Sequence, residues 1–231
     1  MRTMMILNIF LNIIFLNIPV YAKDLNLKWS EIRFFLSDTK FANKDENLGA
    51  LMMPDQIEEM KGITGFGLEV DAELNSWFKA GTKVKGVFNG SNKKEAAFPA
   101  TEYISVQQYS AGLTGRVMLV NKDNIFLDMF GELGLSNNSV ELKTSGGTAK
   151  WEKNSHFYQR AGASMGLGGS LLKMYVEGGY ENFKMKNPNY EGTIGQNINE
   201  IDLSGSYVSV GLVISGIPSW IKPGGLSIGG M

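Results

Sequence analysis

The chain has 231 residues, with 28 glycines, 6 prolines, no cysteine and a single histidine, and its net charge at pH 7 is −1. A disulfide framework and cysteine-based zinc sites are excluded, and one imidazole leaves little material for a metal centre, so no cofactor is expected. Charged residues make up 19%, below the usual quarter or so, and the near-neutral balance gives no electrostatic basis for binding nucleic acid.

Residues 1–22 read as a separate object. Arg2 supplies a positive start, Met4–Ile18 is apolar apart from Asn8, Asn12 and Asn17, and Pro19 leads into Val20-Tyr21-Ala22. This is the pattern of a secretory signal cleaved after Ala22. The apolar run is shorter than the ~20 residues a spanning helix needs. Its removal takes away Arg2 and no acid.

Beyond it, hydrophobicity repeats every second residue, the period of a strand with unlike faces. In the first strand, Trp29–Leu36, Ile32, Phe34 and Leu36 alternate with Glu31 and Arg33, and the phase slips before Trp29, which predicts a bulge there. Ile63–Leu74 and Phe78–Phe88 form a hairpin in which Glu69, Asp71 and Glu73 alternate with apolar residues, followed by Lys79, Lys83 and Lys85. Further strands are predicted around Gln108–Leu119, Ile125–Leu135, Phe157–Leu167, Leu172–Phe183 and Tyr207–Ser215. Three connections are tight (Asn75–Trp77, Val120–Asn124, Gly168–Leu171) and four are long (Ser37–Gly62, Asn89–Glu102, Asn137–Ser155, Lys184–Glu200). They alternate strictly, so the tight turns share one end of the sheet and the long loops the other. Strands of about 10 residues suit a tilted bilayer crossing.

Alternation alone does not say which face meets water, since a lipocalin-like soluble barrel shows the same period. Three features put the charges inside. The charged face carries Glu69, Asp71, Glu73, Lys79, Lys83, Lys85, Arg116, Asp128, Glu132, Arg160, Lys173, Glu177 and Glu181, a near-balanced set with Glu73 opposite Lys79 and Glu69 opposite Lys83. Buried charges are tolerated only when paired. The same face holds Gly65, Gly67, Gly81, Gly112, Gly134, Gly162, Gly166 and Gly168, room for long side chains in a narrow interior. The apolar stripes begin or end in Phe78, Phe88, Tyr109, Phe157, Tyr180 and Phe183, as interfacial girdles do. The expected lumen charge network comprises all of these charged residues except Lys173.

With signal segment, alternating strands, paired interior charges and no cysteine, the mature chain resembles the OmpA/OmpX-type small outer-membrane β-barrels of Gram-negative bacteria. The resemblance departs at the C-terminus, where Met231 replaces a terminal aromatic residue and a tail, Pro218–Met231 with Trp220, follows the last strand. It implies an all-β fold, an eight-stranded antiparallel up-and-down transmembrane barrel over 23–217 with the 218–231 tail in the periplasm. It also implies outer-membrane localisation, with the lipid bilayer, lipopolysaccharide and the outer-membrane assembly machinery as partners, a monomeric state, and four extracellular loops open to a further partner. The role expected is non-enzymatic and structural or interactive, with a closed, charge-paired lumen.

A narrow ion or solute channel is the first alternative, opened if Lys79 or Lys83 exchanged partners among Glu69, Glu73, Asp128 and Glu132. A lipid-modifying hydrolase using His156 with Ser155 and Glu152 is another, though no distinctive motif places these groups. The Gly166–Lys173 run lacks the strand–loop–helix setting of a phosphate loop and reads as a lumen face entering a turn. Asp55 and Glu58 have the spacing of a capping box in the first long loop. Trp151 and Tyr190 are expected in other loops, as partner anchors or loop packing.

Overall fold

A computed structural model describes residues 28–42, 62–87, 101–144, 147–193 and 199–216, with the side chains of 28–29, 101–104 and 144 left aside. The expected signal segment, the 218–231 tail, Phe88 and the Asp55/Glu58 pair lie outside these residues.

Among the described residues eleven strands follow one another: β1 (Lys28–Phe41), β2 (Gly62–Asn75), β3 (Phe78–Val87), β4 (Thr101–Lys122), β5 (Ile125–Thr144), β6 (Gly147–Gly168), β7 (Leu172–Asn182), β8 (Lys184–Lys186), β9 (Asn189–Gly192), β10 (Glu200–Asp202) and β11 (Gly205–Ser215). Eight close into a ring, β1-β2-β3-β4-β5-β6-β7-β11, with every neighbour antiparallel. The pairing Asn137–Tyr109–Gly86–Phe66–Leu36–Val210–Val176–Met165–Leu127 goes once round the ring. It returns to β5 ten residues below its start, from 137 to 127. With eight strands, that stagger sets a tilt of about 40° and a bore filled by its own side chains. The register slips between Trp29 and Glu31, just past the position before Trp29 at which the sequence predicts a bulge. At the first tight turn, the Asn75 carboxamide oxygen accepts from the Trp77 amide at 3.0 Å, an Asx turn.

The faces are inverted relative to a water-soluble barrel. Leu113, Met129, Leu133, Met165, Met174 and Val210 are all more than half exposed. Inward positions hold buried charge instead: Arg33, Glu69, Asp71, Arg116 and Asp128 have no accessible surface. Along β5 the outward stripe is apolar from Ile125 to Leu135 and then becomes Asn137, Ser139, Glu141 and Lys143. On β6 it changes at Phe157, and on β4 at Tyr109, with Gln107 beyond. Ten residues at a rise of about 3.3 Å and a tilt of about 40° make an apolar belt roughly 25 Å tall, the height of a bilayer hydrocarbon core crossed by a barrel.

The strands do not stop where the belt does. The segment Asn137–Ser155, expected as a long loop, is largely a continuation of the β5–β6 hairpin, paired as far as Thr144 and Gly147. Part of Lys184–Glu200, also expected as a loop, forms β8, which pairs with β10, and β9, which pairs with the start of β6. The reason lies in the inward stripe, which stays apolar above the belt. Val106, Val140, Leu142, Ala149, Trp151, Met185 and Ile201 form one buried cluster with Phe41, Ile63, Val87, Tyr158, Phe183 and Leu203. Trp151 is fully buried there with Tyr190 against it, ring centroids 5.5 Å apart, so neither is a free loop aromatic. Phe183 also turns inward, 1% exposed, and is not part of a girdle. The result is a folded head above the belt, with its core seated over the lumen.

The chain has no cysteine, so single-cysteine spin labels report cleanly on this inversion. Labels at Leu113, Leu133 and Met165 should be relaxed by oxygen and shielded from water-soluble quenchers in detergent or bilayer, while labels at Ser139 and Lys143 should show the reverse.

Candidate functional site

The lumen is built in three layers. At the tight-turn end, Phe35, Met118, Phe126, Tyr175 and Val213 form an apolar floor. The core of the head forms the ceiling. Most of the charges lie between them, with Lys79 and Lys173 nearer the tight turns.

Arg116, on β4, is the hub of that middle layer. Its Nε and Nη2 donate to the two carboxylate oxygens of Glu69 at 2.7 Å each, a fork-to-fork pair. Its Nη1 donates to Asp128 at 3.0 Å and its Nη2 to Glu177 at 2.9 Å. Arg33 covers the turn side. Its Nη2 reaches Glu31 at 3.0 Å and Asp128 at 3.3 Å. Its Nε lies 3.1 Å from Asp71, an ion-pair distance at an angle that makes no hydrogen bond. Ser164 donates to Asp128 at 2.6 Å. Toward the head, the Lys83 ammonium sits 3.0 Å from Glu177, 3.4 Å from Glu69 and 3.7 Å from Glu132. Lys85 binds Glu181 at 3.1 Å. Arg160 lies over the Tyr207 ring at 3.5 Å from its centroid and within 3.8 Å of Glu132, Glu177 and Glu181.

Among the described residues, seven acids (Glu31, Glu69, Asp71, Asp128, Glu132, Glu177, Glu181) and seven bases (Arg33, Lys79, Lys83, Lys85, Arg116, Arg160, Lys173) are buried in this lumen. Equal numbers matter because an uncompensated charge in a low-dielectric interior costs several kcal/mol. Of the twelve residues expected from sequence, eleven line the buried interior. Glu73 does not join them. It stays half-buried at the tight-turn mouth although it faces Lys79 across the β2–β3 pair. Lys79 turns instead to Glu31 at 2.6 Å. Lys173 is buried at the same mouth and takes no part in the ion pairs described above. Glu31 and Arg33, absent from the expected network, are central to it. Their alternation with Ile32, Phe34 and Leu36 is the signal in the sequence that places them on this face.

Aromatic rings fill the space between the charges, and each has a glycine directly opposite on the next strand. The pairs are Phe35–Gly67, Phe126–Gly166, Phe130–Gly162, Tyr158–Gly134, Tyr175–Gly211 and Tyr207–Gly179. A Cβ on Gly67 would lie 2.2 Å from Phe35 Cζ, and one on Gly166 2.2 Å from Phe126 Cε1. For Phe35, Phe126, Tyr158 and Tyr175 the missing side chain lets the ring lie against the neighbouring strand. It then presents its face to a cation: Lys83 is 4.6 Å from the Phe35 centroid and Arg116 is 4.7 Å from that of Phe130.

A closed antiparallel ring, apolar outside and ionic inside, admits one description. The fold is that of a small outer-membrane β-barrel. Among solved structures, the barrel is similar to Ail, the attachment invasion locus protein of Yersinia pestis, at 12% identity, covering 81% of this chain and 97% of that one with a TM-score of 0.43. It is similar to Neisserial surface protein A at 11% identity, covering 81% and 96%, with a TM-score of 0.42. It is similar to the outer membrane protease OmpT of Escherichia coli at 10% identity, covering 82% and 96%, with a TM-score of 0.38. No protein-family model matches the barrel's sequence, and a comparison with curated proteins gives no significant match. The assignment stands on the closed strand pairing and the inverted faces.

His156 sits at the rim of the barrel, above the belt. Its ring meets Phe183 edge-on at 5.6 Å, and its Nε2 is buried without a hydrogen-bond partner. Burial first, and then Lys153 and Lys186, hold its pKa below the ordinary histidine value. Glu152 is engaged with Lys150. Ser155 occupies a bulge at φ 54°, its amide bound to Asn137. Ser136, opposite His156, donates to the Tyr109 carbonyl at 3.1 Å. Among the described residues, no serine is hydrogen-bonded to His156.

Removing Arg116 alone leaves Glu69, Asp128 and Glu177 short of a partner. Arg116→Met should lower unfolding stability in urea by roughly 3–5 kcal/mol, read from the shift in heat-modifiable migration or tryptophan fluorescence. The double variant Arg116→Met/Glu69→Leu should lose less than the single variant. A double variant as damaged as the sum of the two single changes would show that the pair is not coupled.

Proposed function

We propose that this chain is an integral outer-membrane protein of a Gram-negative bacterium, and that its role is to hold a rigid recognition head above the outer leaflet. The observation that carries this is the change of the outward stripe from apolar to polar at Tyr109, Leu135 and Phe157 while strand pairing continues above it. A barrel that served only as an anchor would gain nothing from paired strands beyond the belt. Here the extra strands enclose their own core, which gives a partner a preorganised surface in place of mobile loops.

A non-enzymatic role accords with the closed lumen. The bore is occupied by paired charges and rings, with an apolar layer at each end. The channel alternative would require Lys83 to leave three carboxylates together and the ceiling cluster to part.

Two measurements test the proposal. In planar bilayers, wild-type protein, Lys83→Ala and Glu69→Ala should each give no stepwise conductance, whereas well-resolved steps from the wild type would favour a channel. On intact cells, a membrane-impermeant maleimide should label Ser139→Cys and Lys143→Cys and leave Asp123→Cys, in the β4–β5 tight turn, unlabelled until the cells are opened.

A further inference from the structure

The wall of the head is interrupted along one edge of β6. Gln159 facing Asn182 is the last β6–β7 pair toward the head, and Glu152 facing Asn189 is the first β6–β9 pair beyond it. Among the described residues, 153–158 take no strand partner on that edge. The chain between β7 and β9 turns instead to β10, with Met185 facing Ile201 and Lys184 facing Asp202. It is tied on that side by backbone groups: the Leu203 amide donates to the Phe183 carbonyl at 2.8 Å, and the Phe183 amide donates to the Ser204 hydroxyl at 2.8 Å. The β8–β10 pair therefore rests on β6 as a flap, held by side chains. Phe183 and Met185 point inward and are buried. The Phe183 ring lies 5.6 Å from that of Tyr158 and 5.6 Å from that of His156. The Lys153 ammonium donates to the Asn187 carbonyl at 3.3 Å.

His156 shares the inward face of β6 with Tyr158 and stands where the flap meets the wall. It faces Ser136 across the β5–β6 pair, and beyond the Ser155 bulge Lys153 faces Asn138. Its Nε2 is buried with no hydrogen-bond partner. The charged groups that act on the ring are both cations, Lys153 on β6 and Lys186 on β8. The acids of the adjoining elements are engaged with other groups: Glu152 with Lys150, Glu200 and Asp202 with Lys184, Glu181 with Lys85, and Glu132 with the Tyr158 hydroxyl. A proton on His156 adds a third positive charge and a buried N–H donor with no acceptor, both unfavourable in a partly dehydrated site. Lifting the flap hydrates the ring and carries Lys186 away from it. We infer that the β8–β10 pair is an acid-released flap, held against β6 while His156 is neutral and let go when the ring is protonated. The direction follows from linkage. Burial, then Lys153 and Lys186, hold the pKa of the closed state below the ordinary histidine value of 6.5, so closure is complete above that value and is lost as pH falls below it. Release uncovers Phe183 and Met185, which the neutral head keeps covered. The device goes beyond the docking role proposed above and does not depend on which partner docks.

Pulsed electron-spin distance measurement on the detergent-solubilised full chain tests it. With no native cysteine, spin labels at Ser139→Cys on β5 and Asn199→Cys beside β10 report the position of the flap against the wall. At about pH 8 a single narrow distance is expected. At about pH 5 a second, longer distance should grow, its population rising about threefold or more. His156→Gln should keep the narrow distribution at both pH values. Lys186→Gln, which removes one of the two cations, should move the midpoint of the transition to higher pH. Heat-modifiable migration at each pH confirms that the ring of strands is intact, and His156→Phe serves if His156→Gln does not fold. A wild-type distribution that is the same at both pH values overturns the flap. A longer distance that still grows in acid in the folded His156→Gln variant overturns His156 as its trigger.

Discussion

The structure depends on cancellation of charge around Arg116. A barrel in lipid must turn its polar residues inward, and the interior of an eight-stranded ring has no room for enough bulk water to solvate them. Each ionised group there needs a counter-charge held by the protein. Arg116 joins carboxylates from β2, β5 and β7 at distances from 2.7 to 3.0 Å, so it links strands far apart in sequence and sets how they sit around the axis. Arg33 and Lys83 extend the same arrangement toward the floor and the ceiling. Such a network adds less net stability than its pair distances suggest, because desolvation offsets much of the attraction. What it does enforce is uniqueness: a strand slipped by one residue would put its charges into lipid.

The glycine–aromatic pairs solve the packing problem that the charges create. Arginine and lysine side chains need length along the axis, and the rings that separate them need width. Placing glycine opposite each ring makes that width available without enlarging the barrel. The same rings then face the cations, so one placement serves both filling and electrostatics. Gly81 applies the rule to a polar neighbour, since a Cβ there would lie 2.1 Å from an Asp71 carboxylate oxygen.

Much of this was legible in the chain. Period-two alternation with acid–lysine complementarity across the β2–β3 turn placed Glu69 opposite Lys83, and the structure has that register. The interior glycines were visible as a class, but their one-to-one match to rings was not, because register around the whole ring decides which ring meets which glycine. The head was missed for a physical reason. Alternation of Ser139, Glu141 and Lys143 with Val140 and Leu142 is ordinary for a half-buried soluble strand, and beside the stronger lipid-facing stripes it resembled loop composition. Glu31 and Arg33 alternate regularly with Ile32, Phe34 and Leu36, so their face was legible; the partners they meet across the lumen were not, because register around the whole ring sets them. Phe183 is inward as strict alternation requires, since it shares the parity of Glu177 and Glu181 and the pattern runs on unbroken through Asn182 to Met185; its aromatic character alone suggested a girdle.

The continuity of β5 and β6 from the tight turns to the tip of the head has a mechanical corollary. A load applied near Thr144 and Gly147 is carried along two hydrogen-bonded strands into the ionic middle, interrupted only by the bulge at Ser155. In the orientation proposed here, a partner docked on the head is held at a set height and angle above the membrane, and the orientational freedom that a tethered loop would surrender on capture has already been given up during folding.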